Sequence, residues 1–334
     1  MKFVNLRLIQ IVSIFSLVGC SGDVGFEKIA EDSSPQGSGS FKSFTEVFYQ
    51  DSEEPMLDIL VIVDNSPSMR AEQERLGKRM QSFTGQLRDV DWQIAVTNTD
   101  ISDSIHSLKG ALLSFNNSNK KLLTKSDPNY NQLFLDAVVM EEAADCIGGC
   151  PSTTEEPLAA LSLAIRKSTS ENKDLFRSKA DFAVIVISDE DEKSNGPEDA
   201  TKPTEVLSLM ESLYPNKTFT VNGVIIEPGD TDCKDLQGVD GKYGTHVAEF
   251  AGLTNGITTS ICAPDYGAGL AAIGQGARRL LNSVKLTNMP AVESVSVAFS
   301  PYHKTKFTVV GKTVIFDVPP KKGTQIQVSY DIQN

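Results

Sequence analysis

Two runs of almost uninterrupted β-forming apolar residues stand out along the chain, Met56 to Val63 (MLDILVIV) and Phe182 to Ser188 (FAVIVIS). A strand that is apolar at nearly every position is covered on both faces, as in the interior of a parallel sheet. After the first run the period changes: Met69, Leu76, Met80, Phe83 and Leu87 recur at helical spacing with charges between them, which predicts an amphipathic helix over 69–87. Further strands are expected at Thr45 to Gln50, Trp92 to Thr97, Ala111 to Phe115, Lys121 to Leu123, Phe219 to Ile226 and Ile257 to Ile261. Helices are expected at Tyr130 to Ala143, Glu155 to Lys167, Thr204 to Leu213, Thr245 to Gly252 and Gly267 to Val284. This alternation predicts an α/β fold, a doubly wound, mostly parallel sheet with helices on both faces. From about Pro290 the period falls to two (Val295, Val297, Phe299; Phe307, Val309; Val314, Phe316, Val318; Ile326, Val328, Tyr330). Gly311-Lys312 suits a two-residue hairpin turn and Pro319-Pro320 the end of a strand, so a small antiparallel β domain with one covered face is expected over 286–334.

The first 19 residues read differently. A basic start (Lys2, Arg7) precedes an apolar stretch, Leu8 to Val18, too short to span a bilayer. The string Leu17-Val18-Gly19-Cys20 resembles the lipobox of bacterial lipoproteins, which implies cleavage before Cys20 and acylation of that cysteine. Several acyl chains on one residue make a stable membrane anchor. Ser21 resembles the outer-membrane default at its position, so a lipid-anchored protein of the cell envelope, at the outer membrane, is expected. The alternative is an ordinary secretory peptide with Cys20 kept as a thiol. Residues 20–44 are rich in Ser, Gly and acids and read as a flexible tether, which leaves 45–285 for the α/β domain.

Composition adds three constraints. With 334 residues, 40% hydrophobic and 22% charged, the chain is globular rather than disordered, collagenous or polytopic, and long enough for two domains. Without the leader it carries 29 basic and 44 acidic side chains, a net charge of −15, which argues against nucleic acid or anionic lipid as a partner of the folded part. Apart from Cys20 there are four cysteines, Cys146, Cys150, Cys233 and Cys262, an even number that in an exported protein favours two disulfides. Three pairings are open. Cys146 with Cys150 and Cys233 with Cys262 is preferred because each pair then lies within one segment; a four-cysteine zinc site is the rival, with poor spacing.

The candidate chemistry follows the two buried strands directly. Asp64-Asn65-Ser66-Pro67-Ser68 leaves the first and Ser188-Asp189-Glu190 leaves the second. In open α/β sheets ligands bind at the carboxyl ends of strands where the winding reverses, so these carboxylates are expected to converge. Asp64, Ser66 and Ser68 offer the hard oxygens that Mg²⁺, Mn²⁺ or Ca²⁺ prefers. The bland alternative is that the aspartate and serines cap the following helix, which Ser68 could do.

Here the chain resembles the von Willebrand factor A domain family, whose metal-ion-dependent adhesion site is written DxSxS, a distant Thr and a later Asp. The resemblance covers about residues 45–285. It implies a divalent cation, Mg²⁺ first, with Mn²⁺ or Ca²⁺ as the other candidates, held by Asp64, Ser66, Ser68, Thr154 and Asp189. Thr154 stands for the third loop, where Ser152 and Thr153 also carry hydroxyls. An ion held by two carboxylates and neutral hydroxyls keeps positive character and an open position, which implies adhesion: a protein partner offering an acidic side chain, and no enzymatic activity. Glu190, Asp191 and Glu192 depart from that pattern; they either face the ion, favouring Ca²⁺, or form a solvated rim, and the rim is the preferred reading. A disulfide between Cys146 and Cys150 would stiffen the rim beside the third loop. Asp189 to Lys193 and Asp230 to Lys234 imitate the start of a calcium loop, but each has Lys in fifth place and no Gly in sixth. An assembly role is the alternative function, with metal only stabilising the fold and the C-terminal β unit making the contacts.

Overall fold

The computed structural model describes residues 41–50, 55–115, 118–140, 151–193, 199–239 and 241–333. The leader, Cys20, most of the tether, Cys146 and Cys150 lie outside the described residues. The chain opens on β1 (Phe41–Tyr49) and then alternates through β2 (Met56–Val63), α1 (Arg70–Thr84), β3 (Asp91–Asn98), β4 (Leu123–Thr124), α2 (Tyr130–Val138), α3 (Pro157–Arg166) and β5 (Asp181–Ile187). It continues through α4 (Pro203–Leu213), β6 (Phe219–Ile225), α5 (Thr231–Gln237), α6 (Thr245–Leu253), β7 (Thr258–Ser260) and α7 (Tyr266–Leu280). It closes with β8 (Ser283–Lys285), β9 (Ser296–Ser300), β10 (Phe307–Val310), β11 (Thr313–Phe316) and β12 (Gln325–Gln333).

The central sheet has six strands in the order β4-β3-β2-β5-β6-β7. All pairings are parallel except β3 with β4. Period two along the buried strands feeds two cores. Leu57, Ile59, Val61 and Val63 of β2 and Ala183, Ile185 and Ile187 of β5 pack beneath α1, α2 and α7, against Leu76, Met80, Phe83, Phe134, Leu270 and Ile273. Leu60, Ile62, Phe182, Val184 and Val186 face the opposite side, against Leu158, Leu161, Val206, Met210 and Phe250 of α3, α4 and α6. Full burial of each such side chain contributes about 1.5–3 kcal/mol. Helices on both faces of a mostly parallel sheet give the α/β fold that the pattern predicts.

The ends of the chain depart from the expected domain boundaries. β1 does not join the central sheet; it pairs antiparallel with β12, which pairs with β9. The expected helix 267–284 stops at Leu280, and Ser283–Lys285 becomes β8, paired with β11. The small β unit is therefore built from both ends of the chain around Phe48, Val284, Val314, Phe316, Ile326, Val328 and Tyr330. One three-stranded sheet alone exposes one face of each strand; packing β1-β12-β9 against β10-β11-β8 covers both inner faces. Ala111 to Phe115 forms no strand, although Leu113 N donates to the Val96 carbonyl (2.8 Å).

Candidate metal site

In the central sheet Val63 lies opposite Ile187, so Asp64 and Ser188 emerge side by side. The chain winds from β2 outwards to β3 and β4, and from β5 the other way to β6 and β7. Asp64 thus opens into the crevice at the topological switch point. Its side chain is buried and held at both oxygens: Ser66 N donates to Oδ1 (2.8 Å) and Ser188 Oγ to Oδ2 (2.5 Å). Its backbone is held as well. Asp64 N donates to the Ile187 carbonyl (2.9 Å), and its own carbonyl accepts from Gln73 Nε2 (2.8 Å), while Gln73 Oε1 accepts from Met140 N (3.0 Å).

The serine hydroxyls are not spent on capping. Neither the turn Pro67–Met69 nor α1 has a side-chain cap. Ser66 Oγ and Ser68 Oγ share a hydrogen bond (2.9 Å), and Ser68 Oγ donates to Asp189 Oδ1 (3.3 Å). The other oxygen, Asp189 Oδ2, is buried without a hydrogen-bond partner, as are both amide atoms of Asn65. Asp64, Ser66, Ser68 and Asp189 are therefore brought together.

Thr154 is not. It is exposed, its N–H donates to Ser152 Oγ (3.0 Å), and its carbonyl accepts from that same hydroxyl (3.1 Å). The third loop sends in Glu155 instead, fully buried, with Oε2 accepting from Thr99 Oγ1. The charge of Asp64 acts on this carboxyl group. Buried Asp100 fixes this loop, taking Ser152 N on Oδ2 (2.9 Å) and Ser102 N on Oδ1 (2.8 Å), and Glu156 N donates to the Thr99 carbonyl (3.2 Å). Glu155 and Asp100 carried no spacing signal; both lie in loops whose approach is set by the sheet.

The solvated rim expected at Glu190 to Glu192 is overturned, since all three are buried. Glu192 Oε2 accepts from Leu158 N (2.7 Å) at the start of α3, and Asp191 accepts from His246 N (3.0 Å) and meets His246 Nδ1 (2.8 Å) at the start of α6. Helix starts present unpaired N–H groups and a positive dipole end, which offset the burial of a carboxylate. The second calcium-loop imitation is likewise a cap: Asp230 Oδ1 accepts from Cys233 N (3.0 Å) at the head of α5.

The chain is similar to von Willebrand factor type A proteins. One from Catenulispora acidiphila is 13% identical over 89% of this chain and 62% of its own, with a TM-score of 0.41. The pilus adhesin SpaC from Lactobacillus rhamnosus GG, in its open conformation, is 10% identical over 90% of this chain and 42% of its own (TM-score 0.36). The pilus adhesin RrgA from Streptococcus pneumoniae is 9% identical over 87% and 59% (TM-score 0.30). This chain thus spans less than two thirds of each. No family model and no curated protein matches the sequence.

The electrostatics of the site are those of a cluster short of positive charge. Burial, then the charges of Asp64 and Glu190, push the Asp189 carboxyl up to about 8. Burial raises Asp64 against the hydrogen bonds from Ser188 and Ser66, and burial followed by Asp64 holds Glu155 well above the ordinary carboxyl range. None of the ion pairs among the described residues involves Asp64 or Asp189. Such a group binds protons or a cation. The donors are all oxygen, and Asp189 Oδ2 is an orphan acceptor, so the residues fit a hard divalent ion. Among the described residues no three His, Cys, Asp or Glu side chains form a ligating group by themselves, so serine hydroxyls and water have to complete the set.

Proposed function

We propose that the protein is a non-enzymatic binding module of the cell envelope. It engages a protein partner through a divalent cation held by Asp64, Ser66, Ser68 and Asp189, and is anchored by lipid on Cys20. The observation that carries the reading is the orphaned, buried Asp189 Oδ2 beside Asp64 at the switch point, with the two serine hydroxyls turned towards them rather than capping a helix. An ion there supplies positive charge at the exposed edge marked by Ser68; the chain's own residues orient it and exclude water from its inner side. An acidic side chain is the partner chemistry that such an edge favours. The test is capture of envelope proteins by the immobilised protein in Mg²⁺ or Ca²⁺ against EDTA. The proposal expects one set of captured proteins that is lost in EDTA and in Asp64→Ala; capture indifferent to both contradicts it.

A second reading has one specific observation behind it. Met289 and Val292 of the β unit are 58% and 92% exposed and line two adjoining grooves with Phe41 and Phe307. If these grooves make the contacts and the ion only stabilises the fold, melting depends on metal while capture does not.

A further inference from the structure

We propose that the β unit lies on an anionic membrane surface through the two adjoining grooves around Met289 and Val292, and so turns the switch-point crevice away from the bilayer. This rests on the anchoring part of the reading above, lipid on Cys20, and gives the grooves a different occupant from a protein partner.

Phe41, Met289 and Val292 are 60%, 58% and 92% exposed. One groove is lined by Phe41, Gln333 and residues 289–292; the second continues from the same loop along Phe307 and Val309. The loop is tied from behind: Asn288 N donates to the Tyr330 hydroxyl (3.3 Å) and Ala291 N to the Asp331 carbonyl (2.6 Å). Its two large apolar side chains are thereby held outwards. Apolar side chains scattered singly over a surface are ordinary, whereas a contiguous set marks a contact surface.

The course of the chain says what covers them. The described residues begin at Phe41, a groove residue, 21 positions after Cys20. A chain of Ser/Gly-rich composition and that length spans roughly 25 Å on average, so a lipid on Cys20 keeps these grooves beside the bilayer. Charge singles out the same end. The chain from Cys20 to Lys285 carries 24 basic and 41 acidic side chains, a net charge of −17, whereas residues 286–334 carry five lysines against Glu293, Asp317 and Asp331, a net charge of +2. Exposed Lys42 follows Phe41, and exposed Lys304 and Lys306 lead into Phe307. None of the ion pairs among the described residues involves these three. Glu293 also lines the second groove. Charges more than about 8–10 Å away are largely screened at physiological salt, so headgroups at the grooves meet this end and not the acidic bulk. The acidity that argues against anionic lipid belongs to the α/β domain.

The consequence is orientation. The β unit joins the sheet at the amino ends of its strands: β1 leads into β2, and Lys285 of β8 pairs with Glu211 of α4 (3.0 Å), the helix that precedes β6. Asp64 and Ser188 leave the carboxyl ends of β2 and β5. A β unit seated on the bilayer therefore points the crevice into the aqueous side, where a partner can reach it.

The test is flotation of the chain from residue 20, carrying Cys20→Ser, with phosphatidylcholine vesicles that do or do not contain phosphatidylglycerol. The protein is expected to float with the phosphatidylglycerol vesicles and to come off as salt is raised. Met289→Ser with Val292→Ser is expected to weaken partitioning by about tenfold or more, and Lys42→Gln with Lys306→Gln by about fivefold per lysine, with melting unchanged in both. No binding to either vesicle, or binding that ignores both pairs of substitutions, overturns the docking. So does a dimer that is lost in Met289→Ser with Val292→Ser, which assigns the grooves to a second copy. No acyl chain is present in these measurements, so their failure leaves lipid on Cys20 standing; that reading fails separately, and the orientation with it, if the mass of the protein extracted from membranes shows Cys20 unacylated.

Discussion

Gln73 shows how much of the site is made by residues that carry no ligand chemistry. Its amide joins the Asp64 carbonyl to Met140 N, so it fixes the strand exit to α1 and to the end of α2 at once. Gln73→Ala leaves two buried backbone groups unpaired and is expected to cost about 2–4 kcal/mol in chemical unfolding, with ion affinity reduced alongside. The carboxyls titrate in a direction that can be worked out. Asp189 is raised to about 8 and Glu192 to about 7, each chiefly by burial. In the ion-free protein the folded state therefore binds more protons than the unfolded state between about pH 4 and 8, and stability falls as pH rises through that window. Melting measured across it with EDTA should show this decline. A saturating divalent ion should flatten the part due to Asp189; a decline with the same slope with and without the ion would sink that account. At this scale the sequence was legible where chemistry and strand ends coincide, at Asp64, Ser66, Ser68 and Asp189. It was not legible at Asp191 and Glu192, whose partners are helix starts 55 and 34 residues away.

Among the elements, β2 and β5 were legible because a strand buried on both faces has no polar alternation to obscure it. β1 was legible as a strand but not in its allegiance: Phe44, Val47 and Phe48 fix a strand, and only its pairing with β12 fixes the sheet. α7 was over-extended since Leu281 and Val284 continue its apolar spacing, yet Val284 serves the β unit. Two predictions belong here. Arg177 ties the base of the sheet together: its N–H and Nε donate to buried Asp58 (2.8 and 2.7 Å), Nη2 donates to the Leu57 and Asp91 carbonyls (3.2 and 2.9 Å), and Nη1 to Asp91 Oδ2 (3.1 Å). Lys217 Nζ lies 3.8 Å from Asp58. Arg177→Met strands a buried carboxylate with one distant cation, so a loss of about 3–5 kcal/mol is expected in denaturant titration. Gly110 has φ of +73°, and a Cβ there would lie 2.5 Å from Ala164 N and 2.7 Å from the Ala160 carbonyl of α3. Gly110→Ala should push α3 and its Glu155 loop outwards, lowering both the melting temperature and ion affinity; a variant as stable as the wild type would show that the loop yields without moving the helix.

For the whole molecule, the α/β domain and the β unit are joined by two chain crossings. β1 leads into β2 and α7 leads out into β8 at the end of the sheet away from the switch point, and Glu46 of β1 binds Thr287 through both its N–H and hydroxyl (2.9 Å each). Cys233 and Cys262 are joined, linking α5 to the segment after β7 across 29 residues. Closing a loop of that length restricts the unfolded chain by about 3–4 kcal/mol. Reduction, or Cys233→Ser with Cys262→Ser, should lower stability by that order while leaving the ion site on β2 and β5 able to bind. The antiparallel strands after Pro290 were legible in the change of period there, but the recruitment of β1 was not, because nothing local distinguishes a strand that pairs with its neighbour from one that pairs across the chain.

The claim on which the rest depends is that Asp64 and Asp189 hold one divalent ion. Calorimetric titration of Mg²⁺, Mn²⁺ and Ca²⁺ into the protein with Cys20→Ser, beside the same protein carrying Asp64→Ala or Asp189→Ala, tests it most directly. The account predicts a single site per chain in the parent and its loss in both variants; no binding in the parent, or binding that survives both substitutions, would contradict it.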